Sequence, residues 1–558
     1  MMKVSEAVAE AVYAEGVRKA FVVLGHGNME TCIKLGQLGA GLRSARHEAA
    51  AVAMAEGYAL ATGTIGFASV TRGPGLTQLG TALMMASRNS VPIVVVTGDI
   101  STESPSHVQA MDQRRFVEAC ESIYRTVRSA GSVHDDVREA FYRAAVERRP
   151  VILSVDASLK DQQYDWGGDY RPSAGYLPLN RAVLPDEAAL STLFERLEHA
   201  ERPLILVGRG ALDAEEEIRQ LASILGAVVL TSLPAKGFMS GDPFVLGVAG
   251  VFVTEAGEAA SGQADIVLAL GASLNRYTLE GGLQFPNAEV LTVNNRPFMN
   301  YGDTFADTYI WGDAKSTVRA INERLRRAGH ARSGFRTPEF TSYLRAERHK
   351  AALDGSSVVA SDGLLDPRAV VTALDARLPP EAWVVIGQGH YWAFPIANMR
   401  GPGGARFVVA GEAGAVGNAL GTAIGFAEGS GDAPVVLVEG DGSLMMHLQE
   451  LDTVRRYGTR LLILLMDDEA FGSELHSLRA HGVDASESVI PAPAFEEVAS
   501  ALGWVGVQAD SLEQCEKAVE AFFADTRPYL IDARISREVV SPPARRLEYG
   551  ENVFCPLL

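Results

Sequence analysis

The chain has 558 residues, and because domains average about 150 residues this length predicts three or four domains rather than one core. Hydrophobic residues make up 47% and charged residues 21%, a composition typical of globular enzymes that excludes a disordered or collagen-like chain. Acidic residues outnumber basic ones by 69 to 50, and the net charge of −19 disfavours polyanionic partners. We therefore expect no nucleic acid and no membrane among its partners.

The N-terminus has acidic residues where a signal peptide needs a basic and then an apolar run, and no apolar stretch reaches about 18 residues. Four cysteines are scattered without a CxxC pair: Cys32, Cys120, Cys515 and Cys555. This spacing argues against a disulfide framework and against a zinc site. The sequence therefore predicts a cytoplasmic protein.

The first third of the chain alternates helical patterns with short apolar runs. The runs predict strands at residues 20–25, 65–71, 92–98 and 150–156. Such alternation predicts a parallel sheet with helical crossovers. Residues 157–184 are rich in Gly, Pro and aromatic residues without periodicity, so we place a first domain at 1–165 and a connection after it.

Two further α/β domains are predicted, at 185–330 and 365–540, followed by an irregular tail at 541–558. The second domain begins with a strand, a glycine turn, a helix and another strand, which is Rossmann-like. Its turn reads GRGALD and lacks the full GxGxxG fingerprint, so a structural domain is favoured over a nucleotide site. The predicted fold class is α/β, with three domains built on mainly parallel central sheets.

The sharpest motif lies in the third domain, where VVLVEGDGSLMMHLQELDTVRRYGTRLLILLMDDEAFG reads as strand, turn, helix and strand. This spacing brings Asp441 and Asp468, 27 residues apart, to the carboxyl edge of two neighbouring parallel strands. Two carboxylates there can share Mg²⁺ with phosphate oxygens, and the glycines let backbone amides approach a phosphate. The candidate cofactor-binding residues of the turn are Gly440, Asp441, Gly442 and Ser443. The alternative is a tight turn followed by a surface loop.

A second motif is SARHEAAAVAMAEGYALATG, in which Glu48 opens a helix of small residues after a strand-like segment. A carboxyl in apolar surroundings is favoured in a neutral, proton-sharing form, which suits acid–base chemistry. The alternative is that Glu48 only complements the helix dipole.

The unit in the third domain resembles the thiamine diphosphate (ThDP) signature, in which GDG is followed some two dozen residues later by NN, here replaced by DD. The resemblance implies that Asp441 and Asp468 are side-chain metal ligands and that Ala470 is a main-chain ligand of the same Mg²⁺. The departure at Asp468 adds a negative charge near the diphosphate.

The resemblance extends over almost the whole chain, in the domain order of the acetolactate synthase, pyruvate decarboxylase and benzaldehyde lyase group: pyrimidine-binding, middle, diphosphate-binding. VVIGQGHYWAF is similar to a segment that implies Gln388, Gly389 and His390 beside the diphosphate. GEAGAVGNALG is similar to the segment that bends the cofactor, which implies Val416 as the wedge and the Gly414 carbonyl as an acceptor from the aminopyrimidine. TRGPGLTQLGTAL resembles the GPG turn of the same group.

In this family the glutamate matching Glu48 hydrogen-bonds the aminopyrimidine, whose imine form then removes the thiazolium C2 proton. It comes from the N-terminal domain of the neighbouring subunit. The resemblance therefore implies a homodimer or homotetramer with active sites at the subunit interface.

The substrate-facing positions give mixed signals. Glu474 matches the catalytic glutamate of the decarboxylases, whereas Gln113 matches the active-site glutamine of acetolactate synthase. Asn28 occupies a variable position of LGHGNMET with His26 close by, and these four are the further catalytic candidates. Each could instead be a polar loop residue, which is the favoured interpretation of three other histidines: His107, His447 and His476.

The resemblance implies a ThDP- and Mg²⁺-dependent C–C bond lyase or ligase acting on a 2-oxo acid or acyloin. It would work like acetolactate synthase, by decarboxylation and carboligation through an enamine. FAD is not expected, because Ser273 in GASLNRYT replaces an arginine of the acetolactate synthase segment.

Four alternatives remain open: a benzaldehyde lyase-like acyloin lyase, a simple 2-oxo acid decarboxylase, an idle regulatory subunit and a flavin or nicotinamide oxidoreductase. Retention of Glu48, Asp441 and Asp468 argues against an idle subunit. The incomplete glycine fingerprint weakens the oxidoreductase.

Overall fold

The computed structural model describes most of the chain, namely residues 2–101, 106–164, 169–177, 182–296, 306–353, 362–403, 406–411 and 413–551. Its three main sheets each contain six parallel strands, and each sheet lies in a separate α/β domain. The central strands are apolar runs buried on both faces, as expected for parallel sheets covered by helices.

The N-terminal sheet has the strand order β3-β2-β4-β5-β7-β6. Its strands are β2 Lys19–Val22, β3 Gly41–Ser44, β4 Gly66–Val70, β5 Ile93–Asp99, β6 Ile123–Thr126 and β7 Pro150–Asp156. A short antiparallel pair, β1 Met2–Lys3 with β8 Gln163–Tyr164, ties the chain start to the segment that leaves the domain. The helices are α1 Val4–Ala14, α2 Met29–Gln37, α3 Glu48–Thr62, α4 Pro74–Thr77, α5 Gly80–Arg88, α6 Gln113–Ala119 and α7 Val133–Glu147.

The middle sheet has the order β11-β10-β9-β12-β13-β14, a doubly wound arrangement that reverses direction between β9 and β12. Its strands are β9 Pro203–Val207, β10 Val228–Thr231, β11 Val245–Val248, β12 Ile266–Leu270, β13 Glu289–Asn294 and β14 Thr308–Trp311. The helices of this region are α8 Glu187–His199, α9 Glu215–Leu225, α10 Glu255–Gln263, α11 Ala314–Arg327 and α12 Pro338–Leu353.

The C-terminal sheet has the order β16-β15-β17-β18-β20-β19. Its strands are β15 Trp383–Ile386, β16 Phe407–Val409, β17 Val435–Gly440, β18 Leu462–Asp467, β19 Val505–Ala509 and β20 Tyr529–Arg534. The helices are α13 Pro367–Asp375, α14 Ala393–Asn398, α15 Ala419–Gly429, α16 Asp441–Met446, α17 Glu450–Tyr457, α18 Gly472–Ala480, α19 Phe495–Ala501, α20 Leu512–Ala524 and α21 Pro542–Leu547.

The N-terminal and C-terminal domains pack together through α3 and α15. Glycines let the two helices approach to backbone contact: a Cβ on Gly57 would lie 2.0 Å from the carbonyl oxygen of Thr422. A Cβ on Gly425 would lie 2.0 Å from the carbonyl oxygen of Met54. One apolar cluster runs through both domains, so α3, which begins with Glu48, is anchored against the diphosphate-binding region.

The structure differs from the sequence prediction mainly at sheet edges and in the tail. Four strands that form sheet edges were not predicted: β6, β11, β14 and β19. The segment predicted as an irregular tail contains helix α21, which contacts α14 and α18.

Candidate active site

The GDG turn stands where the sequence predicts, at the carboxyl edge of the C-terminal sheet. β17 ends at Gly440 and α16 begins at Asp441, while the neighbouring strand β18 ends at Asp467, followed by Asp468. The two strands pair in parallel with Gly440 opposite Met466, so Asp441 and Asp468 leave the sheet at the same edge. Their carboxyl groups lie close enough for the Asp468 charge to raise the pKa of Asp441.

The electrostatics of this carboxylate pair favour a cation. Asp441 is 7% exposed, and burial together with the neighbouring charge of Asp468 raises its pKa to about 8. Burial also raises the pKa of Asp468 to about 7. The third carboxylate, Asp467, forms an ion pair with Arg534 at 2.9 Å and so has its own counter-charge.

A divalent ion beside Asp441 and Asp468 would offset both the lost hydration and the mutual repulsion. The described residues contain no group of three or more His, Cys, Asp or Glu side chains arranged for a metal. Two carboxylates and a main-chain oxygen instead match Mg²⁺, which completes its shell with water and phosphate oxygens. The residues present therefore fit the metal and diphosphate that the resemblance implies.

Space around the pair is kept by residues without side chains. A Cβ on Gly472 would lie 2.7 Å from the Cβ of His390 and 3.0 Å from Oδ2 of Asp468. Ala470 lies beside the pair, since its amide donates to Oδ1 of Asp468 at 3.1 Å. Gly442 leaves room for Phe471, whose ring would lie 3.1 Å from an added Cβ.

The loop implied to carry the cofactor's bend is joined to the GDG turn. The Gly417 amide donates to Oγ of Ser443 at 3.0 Å, next to Val416, whose side chain is 39% exposed. Gly414 has a φ of 68° and open space where a Cβ would stand. Gln388 packs against the same loop, since a Cβ on Gly411 would lie 2.2 Å from its Oε1.

Beneath the turn lies a buried pair that the sequence analysis missed. The Tyr391 hydroxyl donates to Glu439, which directly precedes Gly440 and is completely buried. Burial raises the pKa of Glu439 to about 7. Gly387 leaves the room for this pair, since a Cβ there would lie within 2.2 Å of atoms of both side chains. The pair supports the backbone that presents Asp441.

The start of α3 is clamped by α17 of the C-terminal domain. The Glu450 carboxylate, which is completely buried, accepts from the Arg46 amide at 3.0 Å and the His47 amide at 2.9 Å. It also accepts from the Thr453 hydroxyl at 2.6 Å. Glu450 therefore fixes the position from which Glu48 projects, a contact between residues about 400 positions apart that no sequence pattern signals.

Glu48 itself is half-buried at the first position of α3, and its Oε1 lies 3.5 Å from where a Cβ on Gly75 would stand. Within the described part of the chain its carboxylate makes no hydrogen bond, and none joins it to the Asp441 loop. Glu48 lies at the carboxyl edge of the N-terminal sheet, whereas Asp441 lies at the carboxyl edge of the C-terminal sheet.

The four other catalytic candidates fall into two classes. Asn28 and Gln113 are buried and use their amides internally: Asn28 donates to the Ser69 hydroxyl at 3.0 Å. Gln113 accepts from the Gly73 amide at 3.2 Å and donates to the Gly98 carbonyl.

The other class is exposed. His26 lies in the turn before Asn28, and Glu474 lies in the first turn of α18, which begins beside Asp468. Among the described residues neither side chain makes a hydrogen bond, so both are available to a ligand.

Comparison with known proteins decides the family. Residues 2–117 match the family model for the N-terminal TPP binding domain of thiamine pyrophosphate enzymes, where TPP is another name for ThDP. Residues 190–321 match the central domain and residues 385–533 the C-terminal TPP binding domain. The chain belongs to the thiamine pyrophosphate enzyme family. This membership confirms the predicted three-domain α/β fold and a ThDP-dependent enzyme.

Among curated relatives, an acetolactate synthase of Mycobacterium avium is 30% identical, in a match that covers 87% of this chain and 80% of the relative. The acetolactate synthase large subunit of Haemophilus influenzae is 26% identical, over 95% of this chain and 94% of the relative. Acetolactate synthase 2, chloroplastic, of Nicotiana tabacum is 27% identical, over 96% and 82%. The chain is thus a thiamine pyrophosphate enzyme of the acetolactate synthase group.

The sequence analysis of this thiamine pyrophosphate enzyme predicted His447 and His476 as polar loop residues. In the structure His447 is half-buried and His476 is buried. His476 lies within α18 and is 1% exposed, with its ring centroid 4.4 Å from that of His390. Burial lowers the pKa of His476 to about 4 and that of His390 to about 3. His390 accepts from the Ser541 amide at 3.1 Å, so the C-terminal segment closes over this pair. His447 is half-buried at the end of α16, against the ring of His47.

The glycine turn of the middle domain is filled by protein. A Cβ on Gly208 would lie 2.3 Å from the carbonyl oxygen of Gly271, and one on Gly271 would lie 2.5 Å from the carbonyl carbon of Gly210. The Gly210 amide donates to the Gly271 carbonyl at 3.1 Å. The crevice where a doubly wound sheet holds a dinucleotide is therefore closed here by backbone.

A separate finding concerns the helices: in the part of the chain that the structure describes, none combines the length and the apolar composition that a bilayer crossing requires.

Proposed function

We propose that the chain makes or breaks a C–C bond next to a carbonyl in a ThDP- and Mg²⁺-dependent reaction; its relatives bear the name acetolactate synthase. The observation that carries this proposal is the buried pair Asp441 and Asp468 at the GDG turn. A 2-oxo acid is the proposed donor.

In this proposal Asp441, Asp468 and the Ala470 carbonyl would hold Mg²⁺, whose charge would offset that of a diphosphate. Gly440, Gly442 and Ser443, at the start of α16, would contact the diphosphate, with amides of the turn as donors to its oxygens, and Gln388, Gly389 and His390 would also lie beside it. Val416 would pack against the bend of the cofactor, and the Gly414 carbonyl would accept a hydrogen bond from its aminopyrimidine.

Glu48 holds and moves a proton at the aminopyrimidine, since a half-buried carboxyl with no hydrogen bond in the described chain is free to do so. Bound ThDP supplies the electron sink for the carbon next to the carbonyl. The resemblance implies that this glutamate reaches the cofactor from a neighbouring subunit, so that two chains would complete each site. A homodimer or homotetramer is therefore proposed.

Near the substrate, the exposed carboxyl of Glu474 delivers or removes a proton at the donor carbon. His26, exposed in the turn before Asn28, is a second candidate for contact with the substrate. Gln113 and Asn28 act as positioning residues, because their amides hold the backbone of the loops at Gly73 and Gly25. The sequence analysis predicted all four residues as catalytic. In this proposal Glu474 and His26 keep that role, whereas Gln113 and Asn28 act as positioning residues.

The test is a donor screen on protein freed of cofactor by chelation and dialysis, with CO₂ and carbonyl products measured together. Turnover of a 2-oxo acid only when ThDP and Mg²⁺ are both restored is the expected result. Release of aldehyde alone would indicate a decarboxylase, and cleavage of an acyloin without CO₂ would indicate a lyase. No cofactor-dependent turnover of either substrate class would overturn the proposal.

The variants Glu474→Gln and Gln113→Ala test the proposed roles of these two residues separately. Loss of the proton donor in Glu474→Gln should slow aldehyde release, whereas Gln113→Ala should mainly impair use of an acceptor by disturbing the Gly73 turn. Identical aldehyde-to-acyloin ratios in wild type and both variants would contradict this division.

Three properties stay predictions from the sequence: a cytoplasmic location, Mg²⁺ as the metal and the absence of FAD. The closed glycine turn of the middle domain supports the last of these. An absorbance spectrum of the purified protein without a flavin band at about 450 nm is the expected result, and such a band that survives dialysis would contradict it.

A further inference from the structure

Arg72 stands in the GPG turn of the N-terminal domain, at the same sheet edge as Glu48. It follows β4 and precedes Gly73, in the sequence Thr71–Gly75. A Cβ on Gly75 would lie 2.7 Å from the Thr71 side chain and 3.5 Å from Oε1 of Glu48, so the turn packs directly against the start of α3. Substrates of α/β domains bind at this edge, outside the carboxyl ends of the strands.

The contacts of Arg72 involve neutral acceptors. Its Nε donates to Oε1 of Gln109 at 3.0 Å, and its Nη1 lies 3.5 Å from the main-chain oxygen of Asp99. Among the described residues no carboxylate lies within ion-pair distance of its guanidinium. The Asp99 carboxylate has other partners, the Tyr124 hydroxyl at 2.9 Å and the Ile100 amide at 2.8 Å.

A half-buried guanidinium with neutral partners keeps donors available in a planar fork. Such a fork matches the two oxygens of a carboxylate, and the match strengthens where water is partly excluded. A cation without a counter-ion at a partly desolvated edge is unfavourable in free energy. An anionic ligand would offset that cost.

We propose that Arg72 binds a carboxylate of the substrate that the reaction retains. This inference rests on the proposed function and names its substrate class. The retained group matters because an ion pair to the carboxylate that leaves as CO₂ would stabilise the ground state and slow its loss. Two sources supply the same chemistry: a second acid group on the donor, or the carboxylate of an acceptor 2-oxo acid.

The experiment compares matched anionic and neutral substrates in the holoenzyme. Donors are 2-oxoglutarate against 2-oxobutanoate, and acceptors are pyruvate against acetaldehyde. Arg72→Gln should lower kcat/KM for the anionic member about 10- to 100-fold more than for the neutral one, the scale of a charge-assisted pair. Arg72→Lys should restore part of the difference.

The arm that shows the selective loss identifies the source of the carboxylate. Arg88→Gln is the matched control, because Arg88 pairs with Glu121 on the exposed surface of the same domain. The same loss for anionic and neutral substrates in both arms would overturn the proposal.

Calorimetry separates this outcome from failure of the proposed function. Oxamate against oxamide represents the acceptor carboxylate, and glutarate against glutaramide represents a second acid group of the donor; all four are titrated into the protein with ThDP and Mg²⁺. At least one of the two acids should bind to wild type and at least about 10-fold more weakly to Arg72→Gln, whereas the neutral amides should not discriminate. Equal binding of both acids to wild type and to Arg72→Gln would refute the role of Arg72, even if no donor is turned over.

Discussion

Two glycine turns of this chain occupy equivalent places, each after a strand of a parallel sheet and before a helix. The turn at Gly440, here called the open turn, leads into α16 beside two buried carboxylates, and the ring of Tyr391 would lie 2.5 Å from a Cβ added at Gly440. At the turn at Gly208, here called the closed turn, the carbonyl oxygen of Gly271 would lie 2.3 Å from an added Cβ. The open turn therefore packs against a side chain and presents carboxylates, whereas the closed turn packs two loops together.

The difference teaches that glycine at the end of a strand signals close approach, and that the neighbouring residues decide what approaches. At Gly440 the closest approach is made by the ring of Tyr391, with the carboxylates of Asp441 and Asp468 at the same sheet edge. At Gly208 it is made by backbone atoms of Gly271 and Ala272. The following predictions test this contrast.

The largest effect is expected for Asp441→Ala, which removes one carboxylate of the open turn. Metal-dependent ThDP binding should weaken more than about 100-fold, because the bridge between protein and diphosphate loses a direct ligand. Asp213→Ala, an exposed acidic residue of the closed turn, is the control and should leave affinity unchanged. Undiminished ThDP binding to Asp441→Ala in calorimetry would remove the open turn from the cofactor site.

Glu48→Gln tests the carboxyl that, in the proposed function, an N-terminal domain contributes to the cofactor site. ThDP binding should persist, while C2 proton exchange and turnover fall about 10²-fold, the scale of lost acid–base catalysis. Hydrogen–deuterium exchange at C2 measures the step directly. Glu118→Gln, an exposed carboxyl on α6, should behave as wild type. Normal exchange in Glu48→Gln would break the assignment.

Gly271→Ala tests the closed turn. Its φ of 60° and the backbone atoms of Gly210 within 2.6 Å leave no room for a Cβ, so the free energy of unfolding should fall by about 2 kcal/mol. Gly262→Ala, on the exposed face of α10 with open space around it, should be neutral or slightly stabilising. Urea unfolding measures both, and ThDP affinity should be the same in each. Weaker ThDP binding by folded Gly271→Ala would mean that the closed turn also serves the cofactor.

The smallest effect concerns pH. The pKa of His476 is lowered by burial to about 4, against about 6.5 in an unfolded chain, so its neutral form contributes stability above about pH 6.5. As the pH falls from there towards 4, the unfolded state binds a proton that the folded state does not, and stability declines. His476→Gln should flatten this decline in urea unfolding of cofactor-free protein, whereas His107→Gln on an exposed loop should not. If the free energy of unfolding of His476→Gln depended on pH as steeply as that of wild type, the lowered pKa of buried His476 would be contradicted.

The sequence predicted the central strands because burial on both faces requires continuous apolar runs, as in β5 and β18. The four edge strands β6, β11, β14 and β19 were missed, because each is partly exposed to water. β6 contains Arg125 and β19 contains Gln508, and neither strand is a continuous apolar run.

The same distinction applies to the site. Asp441 and Asp468 were predicted to lie together, and do so at one sheet edge, because one strand–helix–strand unit contains both of them. Glu450 and the Glu439 and Tyr391 pair were missed, because their partners are set by how domains and loops pack, which local patterns do not record. Gln113 was found by resemblance, but only the structure shows its amide holding the Gly73 turn.

The contact between α3 and α15 has a consequence for protein engineering and for inheritance. Gly57 and Gly425 contact the facing carbonyls so closely that neither has room for a methyl group. The surfaces of the two helices are therefore complementary in shape. A chimera that takes its N-terminal domain from a relative therefore needs α15 from the same source. Recombination can exchange these two segments only as a pair, although 356 residues separate the end of α3 from the start of α15 in the sequence.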